Sequence, residues 1–456
     1  MKIKRDILLS YYGDDYTGSS DVLEVLSLMD IPTILFLDAP NSQQINDFVF
    51  KNKAFQHSRN LVFGVAGIAR SLGPEEMERE LNLVLKKINQ IPSRYFHYKI
   101  CSTLDSSPNI GNIGVAMEIA EKYFPSKFLP LLLGFPTLNR FVVFGNLFAR
   151  IKNTVYRLDR HPVMSNHPIT PMGESDIRLH LKKQTERDIE LVDVLQLDRL
   201  EQLSLEQILP MKVQAAKAPM LLFDTLENSQ LVTIGKWLHR NCQKSHQLLV
   251  GSSAVEYALA HIYGVEKEVK IDLLAVTPTL VVSGSCAQTT ADQILHVEKL
   301  GFYCIRLQVG GLFSPAHSQQ EMERVRDEAL VALREGKNTV VFSALGPDDP
   351  MVKSTLTQQH AQPQLIARSQ AWITSEIMRV FPLKRLVTAG GDTSGYILKA
   401  LGIQALEFTN VLAPGAPLCT AHSENPKVDG IEIAIKGGQN GNVRYLEFAQ
   451  RGGIVK

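Results

Sequence analysis

ILLSYYGDDYTGSSDVLEVLSLMDIPTILFL, residues 7–37, sets how the rest of the chain is read. The apolar run Ile7–Tyr12 reads as a buried strand, and GDDYTGS after it as a turn. A helix is expected around Asp21–Met29 and a second strand over Thr33–Leu37. Strand, turn, helix, strand is the unit from which mostly parallel α/β sheets are built. Further strand candidates follow at Leu61–Ala66, Tyr95–Ile100, Phe128–Leu133 and Met220–Phe223, with a hairpin where Phe141–Phe144 and Leu147–Arg150 flank Gly145-Asn146. Later strands run into small residues: Leu248–Val250 into Gly251-Ser252-Ser253, Leu280–Val282 into Ser283-Gly284-Ser285, Val340–Phe342 into Ser343-Ala344, and Leu386–Thr388 into AGGDTSG at 389–395. Open α/β sheets place ligands at such carboxyl edges.

A chain of 456 residues exceeds one compact core, so two domains are expected, 1–265 and 275–456. The break is placed near 265–278, where the charged stretch Glu266 to Asp272 precedes Pro278. The fold class is therefore α/β, two α/β domains with mostly parallel sheets and the active site in the cleft between them. Lys+Arg 48 against Asp+Glu 47 leaves a formal charge of +1, so no global field recruits nucleic acid or an anionic membrane. No window approaches the roughly 20 apolar residues of a membrane span. The apolar run after Met1–Arg5 is too short for a signal peptide, and acidic residues follow it. Five scattered cysteines without a CxxC pair indicate neither a disulfide framework nor a zinc site. A cytoplasmic, reduced setting is expected; homo-oligomerisation is left open.

The chain has neither GxxxxGK[ST] nor GxGxxG. It does have AGGDTSG, where Gly390 and Gly391 permit a backbone turn with positive φ and close phosphate approach, and where Asp392 and Thr393 stand at a helix start. Alone, this motif reads as a phosphate loop or as a capped βα turn. SGSCAQTT, with Ser283 and Ser285, follows the same logic. Lys436-Gly437-Gly438 suits phosphate contact, with an exposed lysine on a hairpin as the alternative. Three such loops in one domain favour a nucleotide site.

In the N-terminal half, Asp14 and Asp15 lie adjacent at a sheet edge, an unfavourable arrangement unless they cap a helix, bind cations or transfer protons. Asp15 has N-capping as its alternative role, and Thr17 follows in the same turn. The stretch YKICSTLDSSPNIGNIG, residues 98–114, supplies Lys99, Ser102, Thr103 and Asp105 ahead of a helix expected near Gly111. MSNHPITPMGESD, residues 164–176, offers Asn166 and His167, the latter read as a loop hydrogen-bonder or a substrate contact rather than a metal ligand. These groups suit a polyhydroxylated acid, its carboxylate on lysine or arginine and its hydroxyls on Asp or Asn.

GDDYTGSSD, YKICSTLDSS…GNIG, GFPTLNR and HPITPMGESD resemble the N-terminal domain of the four-carbon acid sugar kinases, and LVVSGSCAQTT, TAGGDTSGYILKALGI, APGAPLC and AIKGGQNG resemble that family's nucleotide-binding domain. The resemblance spans nearly the whole chain in the family's order. It implies ATP-dependent phosphorylation of threonate-, erythronate- or oxo-tetronate-type acids, with Mg²⁺ accompanying ATP. It places the DDxTG motif on Asp14, Asp15, Thr17 and Gly18, and the substrate lysine and hydroxyls on Lys99, Ser102 and Thr103. Pro136 and Arg140 take the next loop's positions. ATP contacts fall on Ser283, Ser285, Gly390 to Thr393, Gly437 and Gly438. Many members read KKIDSTLRGN where this chain has Cys101 and Asp105 in place of aspartate and arginine. The CSTLD form resembles the 3-oxo-tetronate kinase branch, although Ser107–Ile110 forms an apparent insertion and Gln439-Asn440 replaces a more usual small or apolar pair.

Phosphoryl-transfer logic then assigns Asp14 as base or orienter of the acceptor hydroxyl, and Lys99 with Arg140 as holders of the substrate carboxylate. Two alternatives come from other classes. One is a non-catalytic sugar-acid sensor; the other is an α/β oxidoreductase, which the missing GxGxxG counts against.

Overall fold

A computed structural model describes residues 7–52, 55–56, 58, 60–151, 153–167, 169–209, 217–242, 245–266, 274–351 and 363–453. Met1–Arg5 and all but Glu266 of the charged stretch before Pro278 lie outside the described residues. The chain divides into two compact units, Met1–Lys267 and Glu268–Lys456.

The first unit carries β1 (Ile7–Gly13), β2 (Thr33–Phe36), β3 (Leu61–Ala66), β4 (Ser93–Lys99), β5 (Leu129–Leu132), β6 (Arg140–Val143), β7 (Asn146–Ile151), β8 (Thr154–Arg157), β9 (Ile189–Val192), β10 (Met220–Phe223) and β11 (Gln247–Gly251). Its main sheet runs β2-β3-β1-β4-β11-β5-β10-β9, and all these neighbours pair in parallel. Every residue of β1 after Ile7 is buried, as expected of a strand covered on both faces. β1 lies between β3 and β4, so the chain lays β2 and β3 on one side of it and β4 on the other. The crevice outside such a switch point is where doubly wound sheets bind ligands.

Three local boundaries differ from expectation. The first helix begins at Tyr16 rather than near Asp21, because Asp15 caps it: its side chain accepts the Gly18 amide. The helix expected near Gly111 begins at Ile113, capped by the Asn112 side chain on the Val115 amide. The β6–β7 hairpin turns through Phe144-Gly145 rather than Gly145-Asn146, with φ of 49° and 77°. Paired left-handed residues make the turn that matches strand twist. The Asp224 carboxylate fixes it by accepting the Phe144, Gly145 and Val194 amides at 2.6, 2.9 and 3.1 Å.

The second unit carries β12 (Leu280–Ser283), β13 (Tyr303–Arg306), β14 (Thr339–Phe342), β15 (Arg385–Ala389), β16 (Ile403–Ala413), β17 (Ala416–Ser423) and β18 (Glu432–Lys436). Within this unit the order is β13-β14-β12-β15-β18-β17-β16. The first five strands are parallel; β17 pairs antiparallel with β18 and β16. Here β12 occupies the switch position, between β14 and β15. Its core packs Val281, Val340 and Val387 of the sheet with Ile294, Val297 and Leu446 of the covering helices. Among the described residues no helix is long and apolar enough to cross a membrane.

Candidate functional site

In the first unit, the carboxyl ends of β1 and β4 gather a dense set of charges. The Asp14 amide donates to the Lys99 carbonyl at 3.0 Å, joining the two strand ends. Arg70, in the single helical turn Ala69–Ser71 after β3, grips Asp14 through both edges: Nε reaches Oδ2 at 3.2 Å and Nη2 reaches Oδ1 at 2.6 Å. The same Nη2 lies 2.8 Å from Asp15 Oδ1. Asp15 also accepts the Thr17 hydroxyl at 2.7 Å and the Gly18 amide at 2.9 Å, so helix capping and the arginine take up its oxygens. A side chain at Gly18 would put its Cβ 2.5 Å from Asp15 Oδ1, 3.0 Å from Lys99 Nζ and 3.3 Å from Arg70 Nη2. Only glycine lets these three groups converge.

Burial raises the Asp14 carboxyl above its ordinary value against the opposing Arg70 charge, with Asp15 adding to the rise. Burial also pushes Asp15 upward, but the Arg70 charge, the Thr17 hydroxyl, Lys99 and the Gly18 amide together carry it below the usual range. The adjacent carboxylates are thereby made unequal. Lys99 is buried, its ammonium 3.3 Å from the Ile100 carbonyl and 3.4 Å from Asp21 Oδ2.

The loop after β4 folds on itself. The Thr103 hydroxyl donates to Asp105 Oδ1 at 2.7 Å and meets Cys101 Sγ at 3.0 Å; Ser102, half-buried, lies between them in the turn. Arg140 starts β6. Its Nη1 donates to the Leu138 and Asn139 carbonyls at 3.0 and 3.2 Å, while its buried Nε has no partner. Burial lowers the Arg140 pKa, and the nearest opposing influences are Cys101 and Asp105. Among the described residues no carboxylate forms an ion pair with it. His161 lies close enough for the Arg140 charge to join burial in lowering its pKa, and its Nδ1 accepts the Val163 and Met164 amides, both at 3.2 Å. His167 is braced within its own loop, Nδ1 accepting the Thr170 amide at 3.1 Å. No hydrogen bond among the described residues joins it to the Asp14–Arg70–Lys99 cluster.

In the second unit, the loops after β12, β15 and β18 stand side by side because those strands are neighbours. Backbone bonds lace them: the Gly284 amide donates to the Ala389 carbonyl and the Gly390 amide to the Lys436 carbonyl, each at 3.0 Å. Gly390, at φ 110°, caps the helix Gly391–Ala400, so the left-handed position of the double glycine is Gly390 and not Gly391. Asp392 is exposed in that helix's first turn, while the Thr393 hydroxyl donates to Gln370 Oε1 at 3.1 Å. The Ser285 hydroxyl accepts the Ala287 amide at 3.2 Å, and the buried Ser283 hydroxyl has no partner. A Cβ at Gly438 would stand 2.5 Å from Ser285 Oγ, so that glycine is the point where two loops touch. Lys436 is fully buried, which removes the exposed-hairpin alternative. Its ammonium donates to Thr290 Oγ1 at 2.8 Å and lies 3.4 Å from the Gly438 carbonyl. With no carboxylate paired to it among the described residues, burial lowers it to about 7.

Comparison with known proteins identifies these units. Residues 9–259 match the model of a sugar-binding N-terminal domain, and residues 280–446 that of a nucleotide-binding C-terminal domain. A 3-oxo-isoapionate kinase from Paraburkholderia graminis is 36% identical over 98% of this chain and 95% of its own. The chain belongs to the four-carbon acid sugar kinase family. A 3-oxo-tetronate kinase from Cupriavidus necator is 24% identical over 97% of this chain and 96% of its own. Two solved structures share the α/β fold. One, from Salmonella typhimurium, has a TM-score of 0.73 at 21% identity, covering 99% of this chain and 100% of its own. The other, from Haemophilus influenzae, has 0.67 at 21% identity, covering 97% and 99%. Membership makes the protein an enzyme, a kinase that uses ATP on a small-molecule acceptor; the sensor alternative is not favoured.

Sequence reasoning missed Arg70, which the fold brings to Asp14 from 56 residues away. Its position directly after a parallel strand is the only local signal of it.

Proposed function

We propose that this four-carbon acid sugar kinase transfers the γ-phosphoryl group of MgATP to a hydroxyl of a short 3-oxo sugar acid. The acceptor is held by the first unit and the nucleotide by the second. One observation carries this reading: among the described residues each unit holds an enclosed cation with no carboxylate ion-paired to it, the half-buried Arg140 with its Nε sealed off in the first and the fully buried Lys436 in the second. A buried, uncompensated charge is unfavourable unless a ligand supplies the counter-charge. Arg140 then meets the acid's carboxylate together with Lys99, and Asp105, Ser102 and Thr103 meet its hydroxyls. Lys436, with Ser283, Ser285 and the glycines of the three laced loops, meets the triphosphate, whose oxygens suit backbone amides at a helix start.

Asp14 is the orienter of the acceptor hydroxyl and takes its proton as the oxygen–phosphorus bond forms and the bond to ADP breaks. Asp15 serves as cap and as the second holder of Arg70. Mg²⁺ is proposed to arrive on the triphosphate: no cluster of three or more metal-binding side chains is placed to hold it among the described residues. His167 keeps a role in shaping its loop.

The acids named in the relatives set the order of testing, with 3-oxo-isoapionate before 3-oxo-tetronate because the relative named for it is 36% identical rather than 24%. An ADP-release assay over short sugar acids and their 3-oxo forms checks the reading. Release that depends on one of these acids is expected; release no greater than with ATP alone overturns it.

A further inference from the structure

Behind the acceptor-side cluster lies a second line of buried charge. Lys99 faces Asp21 Oδ2 at 3.4 Å, and Asp21 Oδ1 accepts the Ser253 hydroxyl at 2.5 Å. Ser253 precedes the helix Ala254–Tyr263, which carries Glu256. Glu256 and His97 are fully buried, with Oε1 and Nδ1 2.5 Å apart, and Glu256 Oε2 has no partner. His97 Nε2 lies 3.1 Å from the Gly251 carbonyl. A carbonyl oxygen only accepts, so Nε2 carries a hydrogen. Nδ1 and Glu256 Oε1 then share one short hydrogen bond, so the pair is closed on itself with Glu256 Oε2 left over.

That leaves Asp21 as the ionic partner of Lys99. Burial raises Asp21 to about 6; Lys99 and the Ser253 hydroxyl oppose the rise, and Glu256 and Asp15 add to it. Burial lowers Lys99, but Asp21, Asp14 and Asp15 outweigh it against Arg70, and the ammonium ends above its ordinary value. Both shifts being upward is consistent: Lys99 faces three carboxylates, whereas Asp21 faces one lysine and two further carboxyl groups.

We propose that Asp21 is a positioning residue that holds the Lys99 ammonium in place for the acceptor's carboxylate, with the His97–Glu256 pair as a fixed abutment behind it. This rests on the reading in which Lys99 meets the acid. A lysine head on its flexible stem has no orientation of its own. Without Asp21 the remaining pull on Lys99 comes from Asp14 and Asp15, which draws it away from an incoming carboxylate. Protonation of Asp21 in mild acid has the same effect, so use of the acid falls on that side.

The test uses the full chain with the acid that releases ADP, and compares wild type with Asp21→Asn and Glu256→Gln across pH. Asp21→Asn is expected to raise the KM of the acid by about tenfold to a hundredfold while that of ATP stays unchanged. It should also remove the acid-side limb near pH 6 in kcat/KM. Glu256→Gln should move that limb to lower pH, since one group raising Asp21 is gone. An unchanged KM and limb in Asp21→Asn, or equal rises in both KM values, overturns the proposal. If Asp21→Asn does not fold, an unmoved limb in Glu256→Gln overturns it. If wild type releases no ADP with any acid, the functional reading fails, and thermal unfolding still tests the network. Asp21 is raised on folding, so the margin of wild type over Asp21→Asn should narrow as pH rises through about 6. A margin independent of pH overturns the proposal.

Discussion

The carboxyl edge of the first sheet gathers Asp14, Asp15 and Arg70 in one set of ion pairs and Lys99 with Asp21 in a second beside it. The corresponding edge of the second sheet, at β12, β15 and β18, presents hydroxyls, backbone amides, the buried cation Lys436 and, exposed at a helix start, Asp392. Both edges sit at a switch in strand order, so the difference lies in the loops and not in the architecture. A polyhydroxylated acid offers donors as well as a charge, and paired ions of both signs can answer each. A triphosphate brings several negative charges and no donors. Amides and hydroxyls can surround it where few carboxylates compete.

The most severe way to break this contrast is to remove the charge assigned to chemistry. Asp14→Asn should lower kcat by roughly 10² to 10⁴ with thermal unfolding little changed, as for loss of a general base. Near-normal turnover would take that role from Asp14. Next come the two unpaired cations. Arg140→Met should raise the KM of the acid by about thirtyfold or more and leave that of ATP alone, whereas Lys436→Met should do the reverse by about tenfold. Crossed or equal effects would erase the division between the two edges.

The lysine also gives a signed pH dependence. Its folded value, about 7, lies below the ordinary 10.5, so its unfavourable contribution to folding is fully present below about pH 7 and is relieved as pH rises toward 10.5. ATP affinity, which needs the ammonium, should fall as pH rises above about 7 in wild type and stay flat in Lys436→Met. The smallest effect belongs to the glycine turn. Gly390→Ala forces a side chain into φ 110°, at about 1–3 kcal/mol, and should weaken ATP more than the acid. Equal weakening in a titration calorimeter would remove this turn from the nucleotide site.

Much of this was legible in the chain because parallel strands announce themselves as short apolar runs, and their ends as clusters of Gly, Ser, Thr and Asp. The loops at 283–290, 389–395 and 436–442 are of this kind, as is the carboxylate pair after β1. What escaped reading depends on contacts across sequence. Arg70 carries no motif, and its meaning comes only from the pairing of β3 with β1. His97 sits in a strand that reads as core filler, and its partner Glu256 comes from a helix 159 residues on. The antiparallel β16–β17 pair was passed over because its register shifts break the alternation that would mark it.

The lacing of the three nucleotide-side loops has a kinetic meaning. Gly284, Gly390 and Lys436 are tied strand end to strand end, and Gln293 reaches over to hold the Asn440 and Asn442 carbonyls at 3.0 and 2.9 Å. Little chain remains to be ordered when a triphosphate arrives, so little conformational entropy is lost on binding. Differences in nucleotide affinity among variants of these loops should then appear as differences in how long the nucleotide stays, with its rate of arrival nearly constant.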